Sequence, residues 1–123
     1  MITGIVTANR EATIQLVLTG PNHRPEVVEA ILDTGFNGFL TLPSHVVRTL
    51  ALPFAGNRRA MLADGRSVVL DLYLATIVWG GEEREVLVLQ AEGGSLIGMS
   101  LLYGHRVTLN VVDNGSVIID TLP

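Results

Sequence analysis

Apolar and polar residues alternate along much of this chain. Between Ala12 and Thr19 the residues at even positions are apolar, and those at odd positions are mostly polar and face the other way. Alternation with a period of two is typical of a β-strand that buries one face. A loop rich in Gly and Pro occupies residues 20–25, and a second strand is predicted from Val27 to Leu32.

The later part of the chain predicts more strands and one helix. Residues 39–42 form a short apolar strand, and Pro43 and Ser44 can open a helix that reaches Leu50. Three hairpins are predicted after it, with turns at Asp64–Gly65, at Gly80–Gly81 and at 113–115. We expect a type I′ turn at Asp64–Gly65, because this pair tolerates positive φ. This spacing predicts one all-β domain over residues 1–123, either closed or sandwiched.

Composition narrows the possible functions. Apolar residues make up 48% of the 123 residues and charged residues only 16%, which favours burying part of the surface against another subunit. All eight basic residues are Arg, so lysine-based Schiff-base chemistry and a P-loop are excluded. There is no Cys for a disulfide, a thiolate nucleophile or a zinc knuckle. A net charge of −4, with no basic run beyond Arg58–Arg59, argues against nucleic acid as a partner.

The sequence also argues against a membrane partner. The longest uncharged apolar run, from Leu72 to Trp79, is too short to cross a bilayer. The first residues lack the basic and apolar regions of a signal peptide. The sequence therefore predicts a soluble protein of the cytoplasm.

Chemistry is expected at Asp33–Thr34–Gly35, where an apolar strand ends. A partly buried carboxylate is costly unless something hydrogen-bonds to it. Thr34 offers a hydroxyl, and Gly35 allows another main chain or a substrate to come close. The triplet alone leaves a second interpretation open, in which Asp33 is a turn residue that accepts a hydrogen bond from its own backbone.

A second segment of the sequence favours a functional role of Asp33 over a role in a turn. Leu96–Ile97–Gly98 is an apolar-apolar-Gly segment placed 63 positions after Asp33. Together with the triplet it resembles the retropepsin-type aspartic proteases, especially their small bacterial members, over about residues 12–120. The resemblance implies a closed acid-protease barrel with one or two short helices. The segments that correspond to the family's loop, helix, flap, second loop and C-terminal strands are 31–35, 43–50, 60–68, 96–103 and 107–119.

The resemblance implies an aspartic endopeptidase that works as a homodimer. Peptide hydrolysis in this family uses two carboxylates that share a proton and hold one water, because like charges about 3 Å apart cannot both ionise. The chain has a single Asp-Thr-Gly, so the second Asp33 must come from a second copy. Thr34 would brace the pair and Gly35 would leave room for substrate. No metal and no organic cofactor are implied.

A flap, a substrate pocket and an interface are implied as well. Ala63, Asp64 and Gly65 would form the tip of a flap that closes over an extended peptide with large apolar residues at the cleaved bond. The apolar strand Val117–Ile119, with Ile2 and Val6, is expected in the subunit interface. The residues expected to line the substrate pocket are Leu32, Phe36, Leu62 and Ile97.

The chain departs from the retroviral members near its triplet. Phe36 replaces a small residue, which would reshape the adjacent pocket. Asn37 and Met99 stand where those enzymes carry an acid and an Arg, so both partners of an ion pair are absent together, which favours a different interface. Ser100 stands where many relatives have Asp or Asn, and we interpret it as a weak local cap.

Two other interpretations remain open at this stage. One is a peptide-binding or dimerisation module that has the same fold, lacks competent catalysis and binds an extended peptide by strand addition. The other is an unrelated small β-barrel in which Asp33 is only a turn residue. His23, His45 and His105 have no paired spacing, so no metal site is predicted from them.

Overall fold

Ten strands and two short helices make up the chain, and the computed structural model describes every residue from Met1 to Pro123. Neither helix is long enough or apolar enough to cross a membrane. The helices are α1 (Ser44–Thr49) and α2 (Met99–Leu102). The strands are β1 (Ile2–Val6), β2 (Ala12–Thr19), β3 (Glu26–Leu32), β4 (Leu40–Leu42), β5 (Phe54–Met61), β6 (Ser67–Trp79), β7 (Glu82–Gln90), β8 (Ser95–Ile97), β9 (His105–Leu109) and β10 (Ser116–Thr121).

All ten strands belong to one sheet, in the order β5-β6-β7-β4-β8-β3-β2-β1-β10-β9. An additional pairing of Leu18 with Ile77 and of Thr19 with Thr76 joins β2 to β6. This pairing closes six strands, β6-β7-β4-β8-β3-β2, into a barrel, with β5 added at one side and β1, β10 and β9 at the other. The predicted all-β closed barrel with one or two short helices is confirmed.

Strand β2 shows how the alternating pattern builds the core. Ile14, Leu16 and Leu18 are almost completely buried and belong to a cluster of 20 buried apolar residues. Thr13, on the face predicted to be polar, is buried too, because β1 pairs along this end of β2. Its hydroxyl donates to the carbonyl oxygen of Ile5 at 3.1 Å, which satisfies the buried polar group.

The hairpin of β5 and β6 has an inner part that pairs with a further strand and an outer part that does not. Residues 67–71 of β6 pair only with β5, whereas β6 also pairs with β7 from Leu72 onward. Gly56 lies opposite Leu72 with φ 124°, at an irregularity of the β5 ladder between Phe54 and Gly56. The outer part of the hairpin is therefore a two-stranded ribbon that projects from the barrel sheet.

The two glycine turns of this region differ. Gly80 and Gly81 both have positive φ and join β6 to β7 through a two-residue loop. At the other turn only Gly65 has positive φ, and its N–H donates to the carbonyl oxygen of Leu62 at 3.0 Å. The prediction of a type I′ turn at Asp64–Gly65 is wrong, because that turn needs positive φ at both residues. The loop is instead a three-residue one with glycine in its last position.

The last hairpin is shorter than predicted. Strand β9 ends at Leu109, although a strand was expected to continue to Val112. The N–H of Asn110 still donates to the carbonyl oxygen of Ser116. The N–H of Val112 instead donates to the carbonyl oxygen of Asn110 at 2.9 Å. This tight turn ends the ladder and leaves Val112 exposed.

The C-terminal strand lies inside the protomer. Strand β10 pairs with β1 on one edge and with β9 on the other. Val117 and Ile119 are 0% and 1% exposed and Val6 is 3% exposed, so their side chains already fill the core of a single chain. The prediction of a subunit interface is therefore wrong for Val117, Ile119 and Val6, whereas Ile118 and Ile2 are half buried and their place in an interface stays a prediction.

Helix α1 is capped from a distant loop. Pro43 precedes the helix and supplies no side-chain cap, and the N–H of Ser44 donates to Oε1 of Glu92 at 3.0 Å. The hydrogen bonds from the Ser44 side chain and backbone, followed by the charges of His45 and Arg48, hold the pKa of Glu92 below its ordinary value of 4.5. A carboxylate at the start of a helix also interacts favourably with the positive end of the helix dipole.

We expect Ile119→Ala to lower the free energy of unfolding by about 2–5 kcal/mol, because it opens a cavity in the core. The matched variant Ile118→Ala, on the other face of β10 and only half buried, should lose clearly less. Urea unfolding monitored by circular dichroism measures both. Equal losses would contradict the placement of β10 within the core of one chain.

We expect Glu92→Gln to destabilise the protein at neutral pH but not at low pH. The pKa of Glu92 is lower in the folded chain than its ordinary 4.5, so its contribution is complete above that value and disappears as pH falls through the folded pKa. Melting temperatures of wild type and variant should therefore differ at pH 7 and converge toward pH 3. Glu29→Gln, which changes an exposed carboxylate outside this cap, is the control. A difference that is independent of pH would contradict this account.

Candidate active site

The two segments singled out in the sequence meet at the end of two parallel strands. Strands β3 and β8 are neighbours, with Leu32 opposite Ile97. The N–H of Asp33 continues this ladder and donates to the carbonyl oxygen of Ile97 at 2.9 Å. Asp33 therefore leaves the sheet directly beside Gly98. We call residues 33–39, which follow β3, the site loop.

The Asp33 carboxylate is half buried and is held at one oxygen. Its Oδ1 accepts a hydrogen bond from the N–H of Gly35 at 2.9 Å, and no other hydrogen bond from the protomer reaches the carboxylate. This bond is the one expected of a turn aspartate, so it is consistent with a structural role. It also fixes the orientation of the carboxylate while Oδ2 stays available to a water or to a second carboxylate.

Thr34 and Gly35 face outward beside this carboxylate. Both are exposed, and the Thr34 hydroxyl makes no hydrogen bond within the protomer. A Cβ added to Gly35 would meet only the Asp33 Oδ1, at 3.3 Å. This open space allows another chain to approach the carboxylate. The bracing role of Thr34 stays a prediction.

Helix α2 is joined to the site loop by backbone hydrogen bonds. Its N-cap is Gly98, and no side chain caps the helix. The interpretation of Ser100 as a local cap is therefore wrong. The Ser100 hydroxyl instead donates to the carbonyl oxygen of Asn37. The site loop and α2 are the two segments that carry the ion pair in the retroviral members. Three N–H groups donate to site-loop carbonyl oxygens: Gly98 to Phe39, Met99 to Phe36 and Ser100 to Gly38.

Gly98 allows these two segments to touch. A Cβ at this position would lie 2.1 Å from the carbonyl oxygen of Gly38 and 2.6 Å from the Phe36 ring. The same ring lies 2.5 Å from the place of a Cβ on Gly38. Phe36 therefore packs across two glycines inside the protomer and remains only partly accessible.

The four predicted pocket residues have different surroundings. Leu32 and Phe36 are half buried beside Asp33, and Leu62 is 38% exposed near the tip of the hairpin. Ile97 is fully buried in the core, so the prediction that it lines the substrate pocket is wrong. Leu96, which faces the other side of β8 and is half buried, is the residue of this strand that a substrate could contact.

Thr41 supports β8, and sequence reasoning missed it. This residue is 6% exposed, and its Oγ1 accepts a hydrogen bond from the N–H of Leu96 at 2.9 Å. Its signal was a hydroxyl residue within the apolar segment 39–42. A buried hydroxyl usually has a hydrogen-bond partner, so this position indicated a contact with another segment without identifying it.

The predicted flap residues lie together at the tip of the β5–β6 hairpin. Ala63, Asp64 and Gly65 are exposed, so the tip does not pack against the rest of the protomer. Asp64 accepts hydrogen bonds from the backbone N–H and the Nε of Arg66, at 3.0 and 2.6 Å. This exposed ion pair stiffens the turn locally and contributes little to overall stability.

Several cavities and grooves open on the protomer, and some of them lie beside the site loop. None of them is lined by residues 33–35. One groove of about 450 Å³ includes Trp79 and His105, whose ring nitrogen accepts a hydrogen bond from the Trp79 Nε1 at 3.2 Å. A single protomer therefore does not enclose a substrate at the Asp33 carboxylate, and the site is open on that side.

Known structures share this fold. A retropepsin-like aspartic protease from Rickettsia conorii matches 98% of this chain and 89% of its own length, with a TM-score of 0.62 and 18% identity. EIAV protease in complex with the inhibitor HBY-793 matches 77% of this chain and 88% of its own, with a TM-score of 0.59 and 18% identity. No family model and no curated protein matches the sequence.

These matches confirm the fold implied by the sequence resemblance. The chain has the retropepsin-like fold of aspartic proteases over most of its length. At 18% identity the likeness concerns the fold and not the activity.

We expect Gly98→Ala to lower the free energy of unfolding by about 1–3 kcal/mol or more, because the added methyl collides with the Gly38 backbone. Gly35→Ala adds a methyl that meets nothing closer than 3.3 Å, so it should fold with near-normal stability. Thermal unfolding compares the two variants. Equal stability of both would contradict the close packing of α2 against the site loop.

Proposed function

We propose that this protein is an aspartic endopeptidase that acts as a homodimer in the cytoplasm. The observation that carries the proposal is the Asp33 carboxylate, which is fixed through one oxygen and open at the other, at the end of β3 in a retropepsin-like barrel. The likeness to proteases of the same fold supports it.

The need for two copies follows from the chemistry. Hydrolysis of a peptide bond requires a base for the attacking water and an acid for the carbonyl oxygen. No side chain of the protomer hydrogen-bonds to Asp33, and the chain has no second Asp-Thr-Gly. A two-fold axis beside Asp33 would bring two such carboxylates together, each from one copy.

In this arrangement the pair of carboxylates shares one proton and holds one water. The charged carboxylate accepts a proton as the water attacks the peptide carbonyl carbon. The protonated one donates its proton to the carbonyl oxygen, which gives a tetrahedral diol. The C–N bond then breaks as the first carboxyl group passes the proton taken from water to the amine nitrogen, and a hydroxyl of the diol returns a proton to the second carboxylate. The reaction needs one proton on the pair, so the rate should fall at both low and high pH.

Contacts between the copies would form around the site loop. Both edges of β10 are already paired within the protomer, so β10 itself offers no free edge to a second copy. Thr34 has a free hydroxyl next to Asp33. Met99 and Tyr103, 45% and 87% exposed on and after α2, offer apolar surface beside the loop. The tip at Ala63–Gly65 would close over an extended peptide with large apolar residues at the cleaved bond.

A peptide-binding module is the second candidate. Two observations favour it: the hydrogen bond from Gly35 to Asp33, which a purely structural aspartate also makes, and the free edge of β5, which pairs only with β6. Such an edge can receive an extended peptide as an added strand.

We expect Asp33→Asn to abolish proteolysis while the fold and the dimer persist, because the amide keeps the size and removes the ionisable group. Wild type should cleave a denatured protein mixture between pH 4 and pH 7, with its maximum on the acid side of neutral. The loss should be at least about 10²–10⁴-fold. Asp71→Asn, at an exposed position of β6, is the matched control and should cleave normally.

Sedimentation of each protein establishes its oligomeric state before the assay. Equal cleavage by wild type and Asp33→Asn would eliminate Asp33 as the catalyst. A verified wild-type dimer that cleaves nothing, yet binds extended peptides, would favour the binding module.

A further inference from the structure

A small cavity lies between the site loop and the base of the β5–β6 hairpin. Its volume is about 50 Å³, and its walls include the apolar side chains of Leu72, Leu87 and Leu89. The loop contributes residues 37–39, which begin four positions after Asp33, and Leu40 of β4 follows them in the wall. A peptide held between the hairpin and Asp33 would pass the mouth of this cavity.

Arg58, on β5, is the one charged residue that lines the cavity. No carboxylate of the protomer pairs with it, because the single ion pair of the chain joins Asp64 to Arg66. The guanidinium therefore keeps all its donors available next to an apolar wall. Its neighbour Arg59 faces the opposite side of β5 and is absent from the cavity lining.

We propose that Arg58 makes this cavity a subsite that selects an acidic residue of the substrate, with glutamate preferred. The inference rests on the proposed peptidase function and names part of its substrate class. The methylene groups of a glutamate side chain fit the leucine wall, and its carboxylate can accept two parallel hydrogen bonds from the guanidinium. Glutamine has the same shape without the charge.

The charge around the cavity agrees with this selection. Residues 54–71 carry three arginines and two aspartates, a net charge of +1, whereas the whole chain has a net charge of −4. The hairpin therefore presents positive charge to a peptide on an otherwise acidic protein. An acidic segment would be drawn to the hairpin before any close contact forms.

The test uses a peptide with an apolar cleavage site in which Glu, Gln or Lys is moved through the four positions on each side of the bond. At pH 6 a substrate glutamate is ionised. At one position, wild type should cleave the Glu peptide with a kcat/KM about 10-fold or more above that of the Gln peptide. The Lys peptide should be the poorest substrate at the same position.

Variants separate recognition from packing. Arg58→Met keeps an apolar stem over the leucines, so it should lose the Glu preference and still cleave the Gln peptide. Arg58→Glu should prefer the Lys peptide, and Arg59→Met, the matched control, should keep the wild-type preference. A merely structural role of Arg58 would reduce cleavage of all three peptides by the same factor, which would overturn the inference.

A binding measurement separates this inference from the proposed function. Asp33→Asn, which should not hydrolyse the peptides, is titrated with the Glu and Gln versions by calorimetry. Tighter binding of the Glu peptide, lost when Arg58→Met is added, supports the subsite even if wild type proves inactive. Equal affinity for both peptides overturns the subsite whether or not wild type cleaves.

Discussion

The hydrogen bond from the Asp33 N–H to the carbonyl oxygen of Ile97 is the constraint on which the site depends. It extends the parallel pairing of β3 with β8 by one step and so fixes where the chain leaves the barrel. The loop that follows can then lie on α2, with Gly98 as the contact point. Three backbone bonds and the Ser100 hydroxyl hold this contact, so the position of the carboxylate is set by main-chain geometry and needs no ion pair.

Much of this arrangement could be predicted from the sequence, because it depends on local patterns. The alternation in β2 identified its buried face, and Gly80–Gly81 identified a tight hairpin. The triplet at Asp33 and the segment Leu96–Gly98 were linked by their resemblance to the two loops of retropepsin-type proteases. These features are readable because each residue's role is settled by its neighbours in the chain.

The predictions that proved wrong concern features that are determined by contacts between residues far apart in the sequence. Ile97 and Leu96 look alike in sequence, and only the register with β3 shows which one enters the core. Val117 and Ile119 were compatible with an interface or a core, and their burial within a single chain decides for the core. Asp64 kept negative φ because the loop distributes its turn over three residues. No local pattern records these choices.

Strand β6 connects the projecting hairpin to the closure of the barrel. It is 13 residues long, and its inner end is held by β7 and, at Thr76 and Ile77, by β2. Its outer residues 67–71 have only β5 as a neighbour, and a two-stranded ribbon alone is marginally stable. Gly56, where the β5 ladder is irregular, lies opposite Leu72 at the boundary between these regions. The outer hairpin is therefore held by one neighbouring strand, whereas the seam that closes the barrel is held by two, and the irregularity at Gly56 marks the boundary between these levels of support.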